Sequence, residues 1–268
     1  MKIVDIDLFN CDNLFNATYL SILESIYNFV NKKFIKEPPF RPLVIGHGNF
    51  RIADMEPGKH WEYPYAILNS DLQPGMEIID CGAGRGLLQF YLAKLGCKVT
   101  SIDKKTFHSK KLQRFYSFLN KIAIKIKKDP SYFINRSSRK LGVNVNFINT
   151  SIDDMPFPAR SFDRVFCISV IEHIPEKHRI TNIVKMLNVL KKGGKMVLTF
   201  DYSPYGDSGS ISDIELKKII ECIDSGYKFD KAKYFSNWDD YIAGVNRVLG
   251  LNLKYTSLGM VIVNQHTN

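Results

Sequence analysis

No stretch of this sequence approaches the roughly 18 uncharged apolar residues of a membrane span. Paired cysteines are also missing. The five present, Cys11, Cys81, Cys97, Cys167 and Cys222, are scattered and include no C-x-x-C. An odd, unpatterned set argues against a disulfide framework and for a reducing setting. The histidines at 47, 60, 108, 173, 178 and 266 show no H-E-x-x-H spacing and have no cysteine pair beside them. A zinc site of either common pattern is therefore excluded, and no metal is expected. The first residues, Met-Lys-Ile-Val-Asp-Ile-Asp, carry acids where a secretory leader is basic and then apolar. A cytoplasmic location is the expectation.

Acids are scarce in one place only. Residues 104 to 140 hold twelve lysines and arginines against a single acid, Asp129, whereas the net charge of the 268-residue chain is +10. The basicity thus belongs to one segment. Leu112, Phe115, Tyr116, Leu119, Ile122 and Ile126 recur there at helical spacing, so a helix over about 109–128 is predicted. Its lysines fit an ordinary solvated face. They also fit an anionic acceptor, an anionic membrane surface or RNA.

What the sequence does have is alternation. Short apolar runs at 76–81, 97–102, 143–148, 163–169, 195–200 and 257–264 read as strands. Helical patterns fall between them at 86–95, 176–191 and 211–224. Lys192-Gly193-Gly194 reads as the stop of the second of these. This order predicts an α/β fold, a doubly wound, Rossmann-like, seven-stranded and mostly parallel sheet. Residues 1–70 differ. They hold one helical pattern, Asn16 to Lys36, and a looser aromatic stretch with Gly46-His47-Gly48 and Trp61-Glu62-Tyr63-Pro64-Tyr65. They are expected to form a helical and aromatic cap on a cofactor-binding domain at 71–268, with the basic helical crossover at 104–142.

The densest signal is Ile78-Ile79-Asp80-Cys81-Gly82-Ala83-Gly84-Arg85-Gly86. A strand, an acid, three alternating glycines and a helix let backbone N–H groups approach a ligand closely. A dinucleotide fingerprint, G-x-G-x-x-G, requires its third glycine at position 87, which is Leu87. The G-x-G-x-G pattern resembles instead the first motif of class I S-adenosylmethionine (SAM) methyltransferases.

Further motifs carry the same resemblance. Asp103 ends the second strand, 21 residues after Gly82. Residues 149–163 are similar to the family's Gly-Asp-x-x-x-Leu-Pro-Phe segment, with Ser151 where the family has its acid. Ser169-Val170-Ile171-Glu172-His173-Ile174 is similar to the Val-Leu-Glu-His signature. Lys191-Lys192-Gly193-Gly194 is similar to Leu-x-Pro-Gly-Gly. The group most resembled is the methyltransferase type 11 family. The resemblance implies SAM as cofactor, S-adenosyl-L-homocysteine as product, and a set of contacts. Asp80, Gly82, Ala83, Gly84 and Gly86 would form the turn. Asp103, beside Lys104, would hold the ribose. Ser151, Ile152 and Asp153 would meet the adenine, and Ser169 the methionine end.

Methyl transfer from a sulfonium mainly needs alignment of the acceptor, and a base where the acceptor is a hydroxyl. His173 is the candidate base, since its ordinary pKa suits proton transfer near neutrality. Glu172 is expected to be structural or to neighbour the cofactor. Asp201, Tyr202, Asp207, His47, His60, Trp61, Tyr63 and Tyr65 are expected near the acceptor mouth. The Asn/Asp-Pro-Pro-Tyr/Phe pattern of base-directed N-methyltransferases does not follow the fourth strand. The leading expectation is methylation of a hydroxyl or amine on a small molecule or glycan precursor, anionic if the lysines contact it. An RNA-directed enzyme and a non-catalytic SAM-binding scaffold stay open as alternatives.

Overall fold

The computed structural model describes residues 1–14, 16–34, 57–84, 86–104 and 130–265. The predicted basic helix, His47, the glycines around it and Arg85 lie outside the described residues. Seven strands form one sheet: β1 (Lys2–Leu8), β2 (Glu77–Cys81), β3 (Lys98–Asp103), β4 (Val145–Asn149), β5 (Phe162–Ile168), β6 (Leu190–Tyr202) and β7 (Thr256–Val263). Their order is β1-β7-β6-β5-β2-β3-β4. The pairs from β6 through β5, β2 and β3 to β4 are parallel. Strand β7 runs antiparallel to both of its neighbours, β6 and β1.

The helices are α1 (Cys11–Leu14), α2 (Ala17–Phe34), α3 (Pro57–Leu68), α4 (Leu88–Lys94), α5 (Pro130–Leu141), α6 (Glu176–Asn188), α7 (Asp213–Ile223) and α8 (Trp238–Leu249). Central strands are buried on both faces, so their apolar residues run consecutively instead of alternating. Ile78 and Ile79 of β2, Val165 to Cys167 of β5 and Met196 to Leu198 of β6 all lie in the core.

Three local outcomes differ from the sequence reading. The N-terminal residues contribute β1 to the sheet as well as helices, because Ile3, Ile6 and Leu8 bury against β7. A register shift between Ile3 and Asp5 interrupts their period. The second predicted helix stops at Asn188, and β6 already begins at Leu190. Lys192-Gly193-Gly194 therefore lies inside the strand, where Gly193 N–H donates to the Asn264 carbonyl and Asn264 N–H to that of Gly194. A helix that the sequence reading did not place, α5, covers Pro130–Leu141 of the expected crossover and packs on β4.

Sheet and cap are locked together. Tyr65 of α3 lies against Gly259 of β7 so closely that a Cβ there would come 2.2 Å from the ring. The same tyrosine donates to Asp5 of β1 at 3.1 Å and stacks on Trp61 with ring centroids 4.6 Å apart. Helix α3 is thereby held over the carboxyl ends of β2, β5 and β6, where ligands of open parallel sheets bind.

Candidate active site

Asp80 is the last residue but one of β2, and after Cys81 the chain turns at once through Gly82 (φ +73°) and Gly84 (φ +52°). Only glycine takes this path without strain. Space forbids a side chain as well, since a Cβ on Gly82 would lie 2.5 Å from Val170. The turn is anchored to β3: Gly82 N–H donates to the Ile102 carbonyl at 2.8 Å, and Gly84 N–H to Asp103 Oδ2 at 2.7 Å. The glycine turn and the acid 21 residues on thus meet in space.

A cavity of about 200 Å³ opens over this turn, lined by Lys59, Tyr63, Asp80, Gly82, Ala83, Gly86, Leu88, Ile168, Ser169 and His173. Burial raises the Asp80 pKa to about 7; Asp103 adds to the rise and Lys59 opposes it. Burial also raises Asp103, against the amides of Gly84 and Lys104 that favour its charge. Tyr63 reaches down from α3, so that its hydroxyl would lie 3.3 Å from a Cβ on Gly86.

Beyond Ser169 lies a second cavity of about 370 Å³, bordered by Phe9, Lys59, Glu62, Ser169, Glu172, His173 and Asp201, and by Val245, Leu249, Leu251, Leu253, Tyr255, Thr256 and Ser257. Lys59, Ser169 and His173 line both cavities and form the threshold between them. The threshold is tightly bonded. Lys59 Nζ donates to Glu62 Oε2 at 2.6 Å and to Ser169 Oγ at 2.5 Å, and Ser169 Oγ donates to Glu62 Oε1 at 2.6 Å. Burial works against the Lys59 charge, but Glu62 and its neighbours outweigh burial and raise its pKa. Ser169 has φ +52°, an uncommon conformation for a residue with a side chain. Such strain clusters at functional sites.

Several expected residues are brought together: Asp80, Gly82, Ala83, Gly86, Ser169 and His173 in the first cavity, with Gly84 and Asp103 at its edge. Lys104 is exposed. Ile152 is buried. Ser151 Oγ donates to Asp154 Oδ2 at 2.6 Å, and Asp153 faces α6, where Asn182 and Lys185 donate to it at 3.4 and 3.3 Å. Of the residues expected near the acceptor mouth, Asp201 lines the second cavity and Tyr63 the first. His60, Trp61, Tyr65 and Tyr202 are buried in the core. Burial holds His60 down to about 4. Tyr202 donates to Asp213 at 2.5 Å, and Asp207 accepts from Ser203 at 2.8 Å.

Lys59 and Glu172 are the site residues that the sequence reading undervalued. Burial raises Glu172 to about 8, with Asp201 next in effect; its own amide opposes the rise, Glu62 adds to it and Lys59 opposes it. Its place is fixed through Arg179 of α6. Arg179 donates to both Glu215 oxygens at 2.7 Å, to the Glu172 carbonyl at 2.7 Å and to the Ile174 carbonyl at 2.7 Å. The alternation Leu249, Leu251, Leu253, Tyr255 was the available signal for the apolar wall.

The arrangement suits a nucleoside cofactor bearing a charged tail. The turn allows close backbone approach, Asp103 offers a carboxylate at the strand end, and the threshold presents Lys59 and Ser169. Residues 79–198 match a family model described as a methyltransferase domain. A ubiquinone biosynthesis O-methyltransferase of Xanthomonas axonopodis pv. citri is 31% identical over 49% of this chain and 46% of its own length. One from Pseudoalteromonas translucida is 27% identical over 68% of each chain. The chain spans about half the length of the first curated relatives it matches. The structure of a geranyl diphosphate methyltransferase in complex with SAM is similar with a TM-score of 0.48, 13% identity, and coverage of 76% of this chain and 84% of that one.

Proposed function

We propose that this chain, whose residues 79–198 match a methyltransferase domain, transfers a methyl group from SAM to a small acceptor. The observation that carries the reading is the pair of cavities joined at Lys59, Ser169 and His173. One lies over the glycine turn and the other is walled by leucines. SAM bound over the turn supplies a methyl group on a sulfonium, which leaves as a neutral thioether.

The residues of the chain have the remaining work. Asp103 accepts hydrogen bonds from ribose hydroxyls. The glycine turn passes beneath the nucleoside, and Ile152 packs beside the base. Lys59 pairs with the cofactor's carboxylate, and Ser169 with its amino group. Tyr63 and the threshold side chains exclude water from the transfer path. The relatives' names favour oxygen as the methylated atom.

Calorimetry with SAM tests this reading. Micromolar binding by the wild type and at least about a ten-fold loss in Asp103→Ala are expected, the loss of charge-assisted hydrogen bonds to the ribose. Absent binding, or an Asp103→Ala variant that binds as well as the wild type, would sink it.

A further inference from the structure

Glu62 stands behind the threshold between the two cavities. It is 1% exposed and borders the second cavity. Lys59, Glu62 and Tyr63 are spaced i, i+3, i+4, so they share one face of α3. Each Glu62 oxygen has its own partner: Oε2 accepts from Lys59 Nζ and Oε1 from Ser169 Oγ, both at 2.6 Å. The helix that carries it is pinned on either side. The Tyr63 hydroxyl accepts from the backbone of Leu87, just before α4, and Tyr65 lies locked against Gly259. The backbone of Ser169 is held separately. Its N–H donates to the Thr199 carbonyl at 3.0 Å and to Thr199 Oγ1 at 3.2 Å, so β6 secures the left-handed turn. What Glu62 fixes is the hydroxyl. A serine oxygen has one proton to give and two lone pairs to fill. Ser169 gives its proton to Glu62 and fills one lone pair from Lys59. The second lone pair remains for a ligand, and Ser169 also lines the first cavity.

We infer that Glu62 is a positioning residue: by taking the Ser169 proton and pairing with Lys59, it turns Ser169 toward the cofactor's ammonium as an acceptor. The inference rests on the methyl-transfer reading and deepens it, because SAM and S-adenosyl-L-homocysteine both end in an ammonium beside a carboxylate. Charge supports the same division of labour. Lys59 alone would attract the carboxylate and repel the ammonium. With Glu62 behind it the pair is neutral, so both ends of a zwitterion can be held side by side.

An amide in place of Glu62 reverses the arrangement. Glutamine can accept from Lys59 through its oxygen, but its nitrogen only donates. Turned toward Ser169, that nitrogen fills the second lone pair. The serine proton must then point at the ammonium, where a donor meets a donor. The size and fold of the site stay the same; only the direction of one hydroxyl and the charge behind Lys59 change.

Calorimetry on the full chain tests the inference with S-adenosyl-L-homocysteine, its desamino analogue and methylthioadenosine. The analogue keeps the carboxylate and lacks only the amino group; methylthioadenosine lacks the whole tail. The wild type is expected to bind S-adenosyl-L-homocysteine about ten-fold or more tighter than the analogue, the worth of a hydrogen bond to a charged group. Glu62→Gln should lose most of that preference and bind methylthioadenosine as the wild type does. Ser169→Ala should lose the same preference. Adding Glu62→Gln to it should remove no more, because Glu62 acts through the hydroxyl. Should Glu62→Gln not fold, Glu62→Asp, which draws the carboxylate back from Ser169 by one methylene, should also lose the preference. A preference that survives in the Glu62 variant overturns the inference. So does an equal weakening of all three ligands, which marks a residue that only supports the fold, or a further loss in the double variant. A wild type that binds S-adenosyl-L-homocysteine and its analogue equally overturns it too, and leaves the methyl-transfer reading standing. Failure of all three ligands to bind removes that reading and the inference together.

Discussion

Asp80 and Glu172 are carboxyls whose burial works against their charge. Their folded pKa values rise to about 7 and about 8, from ordinary values of 3.8 and 4.5. The folded protein therefore holds protons that the unfolded chain has already released. The stability each group contributes is complete below its ordinary pKa and is lost as pH rises through the folded value. Urea denaturation of the ligand-free protein should show lower stability at pH 8.5 than at pH 5. Glu172→Gln should flatten the upper part of that fall, above about pH 7, by roughly 1 kcal/mol or more. Superimposable pH curves for the two proteins would contradict this account. At this scale the glycine turn was legible in the sequence, because positive φ and close packing leave glycine as a visible letter. Glu172 and His173 were not separable there. They are adjacent in sequence, yet the helical turn at Ile171–His173 sends one inward and the other to solvent.

Between elements, Arg179 joins α6, α7 and the turn that carries Glu172. Its pairing with Glu215 is buried, and removing one member leaves the other charge unpaired, which costs about 3–5 kcal/mol. Arg179→Met should lower the midpoint of thermal unfolding sharply. Adding Glu215→Leu should recover much of the loss, because no orphan charge then remains. A double variant no more stable than the single one would show that the pair is not the cause. Helix α7 itself was legible: Ser212 caps it by accepting from Glu215 N–H, and this Ser-x-x-Glu spacing is a sequence signal. Helix α8 also has its signals, Asn237 capping Asp239 and Asp240 and Gly250 closing with φ +67°. Trp238, Ile242, Val245 and Leu249 recur at helical spacing, so this helix too was written in the sequence, and the sequence reading passed over it.

At the scale of the whole molecule, the sheet's order was only partly foreseeable. The parallel strands follow from strand and helix alternation, but the partner of β7 on its outer side comes from the other end of the sequence. Strand β1 covers that edge and carries Asp5 and Asp7 in it. Deleting residues 1–9 should expose the edge of β7 and the apolar side chains beneath it. We expect concentration-dependent association, read by light scattering, along with a lower unfolding temperature. A truncated protein that stays monomeric and equally stable would show that β1 is an accessory.

The same pairing has a consequence in time. Ile3 lies opposite Ile262, and Leu8 opposite Leu258. On a ribosome, β1 must therefore wait, its apolar side unsatisfied, until β7 has been translated. The parallel strands can pair while synthesis continues; the outer seam cannot. Closure of that seam is a late event with a long loop to gather. A nascent chain stalled before residue 256 would carry an unpaired β1, the state in which a chaperone has most to hold.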